Sequence, residues 1–151
     1  MSNYQLLQTF YIALANRDVK TMLSCYHENV IYHDVGFGLQ KGKDAKKVWL
    51  YLMRKGDENV VITFSNIVAN ETNGKANWIA KYTFNNRKIE NHISVTFQFK
   101  DGKIIYHKDD YSLFKWSQQA FGLVGYLVGW SPIFHWFIRW QMRRLLLNYK
   151  L

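Results

Sequence analysis

Three side chains in this sequence have the type and position for proton chemistry, and a fourth joins them by its place on a helix. Asp34 follows the apolar run from Val30 to His33 and precedes Val35 and Gly36, a position from which it can project into the mouth of a pocket. A carboxylate among aromatic neighbours has its charged form disfavoured, which lifts its pKa towards that of a general base. The same residue can instead cap its own turn, as Asp commonly does. His107 and Asp109 are two residues apart. In a strand they share a face, and a carboxylate beside an imidazole orients it for proton transfer. The opposite phase would turn Lys108 inward, the costlier arrangement, so His107 and Asp109 are expected inside. Tyr11 lies on an apolar helix face, where a tyrosine is ordinarily a core residue whose hydroxyl finds any acceptor. On paper His33, Asp34, His107 and Asp109 make a ligand set, but no HExxH or other short ligand spacing accompanies them, and no metal is expected. Nor does a Gly-rich phosphate cradle follow the early strand, so no cofactor is expected.

The elements that must position these groups follow from periodicity. Leu7, Phe10, Tyr11 and Leu14 recur at helical spacing and predict a helix over 4–16. Asp18 is placed to cap a second, short helix whose stripe is Met22, Leu23 and Tyr26, with Asn29 as its end. A strand over 30–35 is stopped by Gly36 and Gly38. Asp44 is placed to cap a third helix to about Lys55, with Val48, Tyr51 and Leu52 near one face. From 60 to 112 the pattern is antiparallel, with strands at 60–69, 76–85, 88–100 and 103–112 and turns at Asn73-Gly74, Asn86-Arg87 and Asp101-Gly102. Trp78, Ala80, Tyr82 and Phe84 alternate with polar residues, as do Ile93, Val95, Phe97 and Phe99. The fold class is therefore α+β, three N-terminal helices packed on one face of a curved, mainly antiparallel sheet. Such a sheet closes into a cone. Trp78, Tyr82 and Val95 on its concave face, with Phe37 from the early turn, would line a pocket for a small hydrophobic ligand.

The chain of 151 residues is 48% apolar, enough for one domain with a sizeable core, and holds ten Phe, ten Tyr and six Trp. One cysteine, Cys25, excludes an intramolecular disulfide. With no basic-then-apolar leader pattern at the start, a cytoplasmic location is expected. The net charge of +9 is unevenly spread: residues 1–114 hold fifteen Lys and Arg and all eleven acids, whereas 115–151 hold five basic residues, no acid and four of the tryptophans. The organisation read from this is a pocket domain over 1–114 and a basic, aromatic, helical extension over 115–151. Residues 120–138 carry no Lys, Arg, Asp or Glu, which reaches the lower limit for spanning a bilayer. Gly122, Gly125, Gly129 and Pro132 interrupt that run, predicting two shorter helices that meet at Trp130-Ser131-Pro132. Packing on the domain or across a homodimer is expected ahead of an interfacial membrane anchor, which is the other reading of a basic, Trp-rich helix. No RNP, zinc-finger or helix-turn-helix pattern is present, and no nucleic-acid partner is expected.

Taken together, the runs Tyr11 to Asp18, Leu23 to Tyr26 and Val30 to Gly36, the helix start from Gly42 to Val48, and the hairpin from Phe97 to Ile104 resemble the NTF2-like superfamily. Within it the pattern is most similar to ketosteroid isomerases and SnoaL-like polyketide cyclases, over about residues 4–114. The resemblance implies the cone fold. It puts the isomerase general base at Asp34 and the oxyanion-stabilising phenol at Tyr11. The Pro that commonly follows the base is Val35 here, and the isomerase's second oxyanion donor falls near Val95, which cannot donate, so steroid isomerisation itself is not implied. The cyclase-like branch uses polar residues of the last strands, for which His107 and Asp109 are the candidates. The expected function is a pocket for a small hydrophobic carbonyl-type ligand, acting as an isomerase or cyclase by proton transfer next to a carbonyl. The alternative is a binding module that holds a hydrophobic ligand without chemistry.

Overall fold

A computed structural model describes residues 1–150. Helix α1 (Asn3–Ala15) is started by a reciprocal cap between Ser2 and Gln5 and buries Leu7, Phe10, Tyr11 and Leu14. Asp18 accepts from the Thr21 amide to start α2 (Val19–Ser24). That helix is shorter than its apolar spacing suggests. Tyr26 opens strand β1 (Tyr26–Asp34) instead of closing the helical stripe of Met22 and Leu23. A second correction is strand β2 (Gly38–Lys41), which returns antiparallel along β1 where only a turn is expected from sequence. Helix α3 (Lys43–Lys55) begins at Gly42, with Asp44 inside its first turn as a favourable charge, and buries Ala45, Val48 and Trp49.

Strands β3 (Val61–Ala69), β4 (Asn73–Phe84), β5 (Arg87–Lys100) and β6 (Lys103–Asp110) form the antiparallel meander. Asn73 and Gly74 belong to β4. The turn before them is held by the Asn70 side chain, whose Oδ1 accepts from the Thr72 and Asn73 amides. The next turn sits at Asn85-Asn86, both in the left-handed region that a tight hairpin requires. The six strands run in the order β2-β1-β6-β5-β4-β3, with β1 and β6 parallel. The chain returns its last strand beside its first, and α1 to α3 cover the concave face.

One irregularity sets the site. Between Phe97↔His107 and Phe99↔Ile104, strand β6 carries one residue more than β5, so Ile104 and His107 both face inward although three apart. From His107 onward the alternation is regular, with His107 and Asp109 buried and Lys108 and Asp110 exposed. The extension forms α4 (Leu113–Phe121), α5 (Leu123–Val128) and α6 (Pro132–Asn148). The junction before Pro132 is where the sequence puts it. Gly125 lets α5 lie against α4, since any Cβ there would collide with the Ser117 carbonyl. Among the described residues, no helix is long and apolar enough to cross a membrane.

Candidate active site

Two groups of polar side chains face the interior of the cone. The first is centred on Asp109, whose carboxylate receives three donors: His107 Nε2 at 3.0 Å and Trp78 Nε1 at 3.3 Å on Oδ1, and the Tyr32 hydroxyl at 2.7 Å on Oδ2. The other imidazole nitrogen, Nδ1, lies 2.7 Å from the Tyr26 hydroxyl, which accepts from Trp49 Nε1 at 2.8 Å. Trp49 can only donate, so the Tyr26 proton points to Nδ1, its one acceptor among the described residues. That leaves the proton of His107 on Nε2, directed at Asp109. The relay runs Trp49, Tyr26, His107, Asp109, every donor oriented towards the carboxylate. The expected inward pairing of His107 with Asp109 is present, and both side chains are buried. Burial pushes the Tyr26 and Tyr32 phenols well above the usual range, reinforced by the Asp109 charge, so both keep their protons.

The second group is Asp34. Its two sequence readings are not alternatives. It caps its own turn, accepting from the Gly36 amide at 2.7 Å and the Phe37 amide at 2.8 Å, and it is also buried, with 7% of its surface exposed. All three of its donors, including the Tyr111 hydroxyl at 3.4 Å, go to Oδ2. Oδ1 has no protein donor among the described residues. Burial first, then the Asp109 charge, raise the Asp34 pKa to about 6 against the lowering effect of the two amides.

Tyr11 is buried under Phe64, with ring centroids 5.4 Å apart, and its hydroxyl has no hydrogen-bond partner among the described residues. The charge that acts on it is that of Asp109, after burial, and the phenol that reaches Asp34 is Tyr111. The expected facing of Tyr11 and Asp34 is thus replaced by Tyr11 at the inner group and Tyr111 at the outer one.

The side chains expected to line a pocket are occupied within the fold. Trp78 bonds to Asp109, Tyr82 accepts from Trp116 Nε1 at 2.7 Å, Phe37 packs on Tyr51, and Val95 is buried in the core. Neither of two surface depressions, of about 540 and 640 Å³, touches any of these residues or the two polar groups. The mouth of the cone is covered by α6: Met142 packs on Gly36, Arg139 donates to the Val35 carbonyl at 3.1 Å, and Leu146 enters the core. Sequence reasoning missed Tyr26, Tyr32 and Trp49. Tyr32 was within reach, being two residues from Asp34 on the same strand face.

The SnoaL-like domain family profile matches residues 7–107. No curated protein matches the chain in sequence. Among solved structures, an NTF2-like protein of unknown function from Burkholderia pseudomallei superposes with a TM-score of 0.69 at 16% identity, covering 81% of this chain and 100% of that one. A Pseudomonas putida protein assigned as a polyketide cyclase gives 0.65 at 22% identity, with 80% and 98% covered. An LEH-like epoxide hydrolase from M. tuberculosis gives 0.62 at 20% identity, with 83% and 94% covered. At these identities the likeness concerns the fold, which is NTF2-like. With the profile spanning the cone from α1 to the His107 strand, the chain belongs to the SnoaL-like domain family.

Proposed function

We propose that this protein moves a proton next to the carbonyl of a small, largely apolar substrate, as an isomerase or cyclase, with Asp34 as the base. The observation that carries the reading is the asymmetry of the Asp34 carboxyl: Oδ2 holds every protein donor and Oδ1 is left for a ligand. With a pKa of about 6, Asp34 is mostly ionised at neutral pH, and its conjugate acid is strong enough to return a proton. Oδ1 takes a proton from the carbon beside the carbonyl, the electron pair moves into the carbonyl oxygen as an enolate, and the proton is returned to the carbon skeleton. The Tyr111 hydroxyl, which keeps its proton and lies 3.4 Å from Asp34 Oδ2, is the phenol near enough to donate to that oxygen. The relay ending on Asp109 fixes the inner wall and sets a second negative charge near Asp34.

A second reading has its own support: the Asp109 group is complete without a ligand, as a structural core is, and fits a module that binds an apolar molecule without chemistry. Solvent exchange at the α-carbon of enolisable ketones and polyketide-like carbonyl compounds, followed by NMR, separates the two. Exchange that falls on the order of a hundredfold in Asp34→Asn supports catalysis. Exchange unchanged in that variant sinks the mechanism, and saturable binding with no exchange moves the function to the binding module.

A further inference from the structure

An amphipathic helix has one apolar face, and α6 has two. Phe134, Ile138, Met142 and Leu146 recur every four residues and turn towards the domain, with Ile138 and Leu146 buried. On the opposite side, at spacings of three, four and seven, Ile133, Trp136, Trp140 and Leu147 face solvent, and Ile133 and Leu147 are 79% and 80% exposed. The Trp136 and Trp140 rings stack on each other, 6.4 Å apart and 15° from parallel, while both residues stay exposed. The patch continues through the α5–α6 connection: Leu123, Leu127 and Trp130 are 74%, 64% and 65% exposed. An apolar surface of this extent on a folded chain marks an interaction site.

Charge identifies what covers it. No acid occurs after Asp110; Arg144 lies beside the aromatic stripe, while Arg139 and Arg143, both exposed, reach back to the Val35 carbonyl and to Gly38 at its edge. The Arg144 guanidinium lies 5.3 Å from the Trp140 ring, a basic head set beside an amphipathic ring. A second copy meeting this face across a two-fold axis would bring the same arginines together with no acid in the extension to neutralise them. Hydrocarbon edged by anionic headgroups satisfies both halves of the pattern, the indoles sitting at headgroup level and the Arg144 guanidinium on phosphate. As no helix among the described residues is long and apolar enough to span, the geometry is that of a helix lying in the plane of the surface.

We propose that the outer face of α5 and α6 docks this protein on an anionic lipid bilayer. The proposal stands on the extension alone and does not depend on the chemistry at Asp34. The test is flotation of the full chain with vesicles of equal parts phosphatidylcholine and phosphatidylglycerol, against vesicles of phosphatidylcholine alone, with tryptophan emission as a second readout. The expected result is binding to the anionic vesicles with a blue shift, weakened roughly tenfold or more on phosphatidylcholine and by added salt. Trp136→Gln with Trp140→Gln, both on the solvent face, should abolish binding while leaving thermal unfolding unchanged, and Arg144→Glu should weaken it. Absence of binding, binding indifferent to lipid charge, or binding retained by the double variant would each overturn the proposal. So would a dimer in solution that the double variant dissociates and that excludes vesicles, which would assign the face to a second copy.

Discussion

Asp34 and Asp109 stand side by side on parallel strands. The β1–β6 register pairs Tyr32 with His107 and His33 with Lys108, and one step further brings the two carboxyl-bearing residues level, both facing inward. Neighbouring strands are about 4.8 Å apart, close enough for one charge to oppose the other. The environments divide the labour. Asp109 receives donors on both oxygens, whereas Asp34 is held on one oxygen only and carries the raised pKa. Such a division is how paired carboxylates acquire different roles.

This relationship fixes a pH dependence for stability. The folded pKa of Asp34, about 6, lies above its ordinary 3.8. The folded state therefore holds that proton more tightly than the unfolded one. The associated stability is complete below about pH 4 and is lost as pH rises through 6, an amount of roughly 2–3 kcal/mol. Asp34→Asn retains an oxygen for the Gly36 and Phe37 amides and cannot ionise. Its urea-unfolding free energy should exceed that of the parent at pH 7, with the difference closing towards pH 4. A variant less stable at pH 7 would show that the ionised carboxylate is structural rather than held at a cost.

The Tyr11 hydroxyl supports the opposite kind of test. It is buried and unpaired, so Tyr11→Phe removes an uncompensated polar group and keeps the ring against Phe64. Stability should be unchanged or raised by up to about 1 kcal/mol. Proton exchange on a substrate should be unchanged, because the phenol beside Asp34 is Tyr111. A loss of more than about 1 kcal/mol in thermal or urea unfolding would assign the hydroxyl a structural partner.

Tyr26 should behave in the reverse manner. Its oxygen accepts from Trp49 and its proton serves His107, all within the core. Tyr26→Phe leaves the Trp49 N–H and the His107 Nδ1 without partners, at a cost of roughly 2–4 kcal/mol. Denaturant unfolding measures it, and a near-neutral variant would mean that water enters the relay.

These residues also show where sequence is informative. His107 and Asp109 were readable because strand alternation and the cost of burying Lys108 point the same way. Tyr26 was not, because it continues the helical spacing of Met22 and Leu23. Only its place beside Ile104 in the parallel ladder makes it the first residue of β1. Strand β2 is four residues long and pairs only with β1, too short to alternate recognisably. Trp49 sits on α3 beside Val48, and nothing in its helical spacing marks its indole N–H as a donor to a tyrosine on another element. What the sequence did not show is that α6, an element outside the region that carries the family pattern, lies over the turn beside Asp34.

That cover yields the last prediction. α6 rests on the turn that caps Asp34: Met142 lies against Gly36, where even a Cβ would collide with its sulfur, and Arg139 bonds to the Val35 carbonyl. Leu146 anchors the C-terminal end of the helix in the core. Burial is the largest cause of the raised Asp34 pKa, and this helix supplies part of it. Met142→Ala with Leu146→Ala truncates the C-terminal half of the inward stripe, and a buried Leu→Ala change alone costs about 2–5 kcal/mol. The energy falls on the docking of α6, since the strands keep their own ladder, so the helix should loosen before the domain unfolds. Amide exchange should then rise in 132–148 and at Gly36 and Phe37, and stay slow in β4 to β6. Water reaching Asp34 should bring its pKa, followed by NMR of the side-chain carboxyl carbon, down from about 6 towards 3.8. Access for an apolar ligand should quicken at the same time. A double variant in which Asp34 still titrates near 6 would show that the strands and Asp109 alone hold its proton, and that α6 is not what closes the cone.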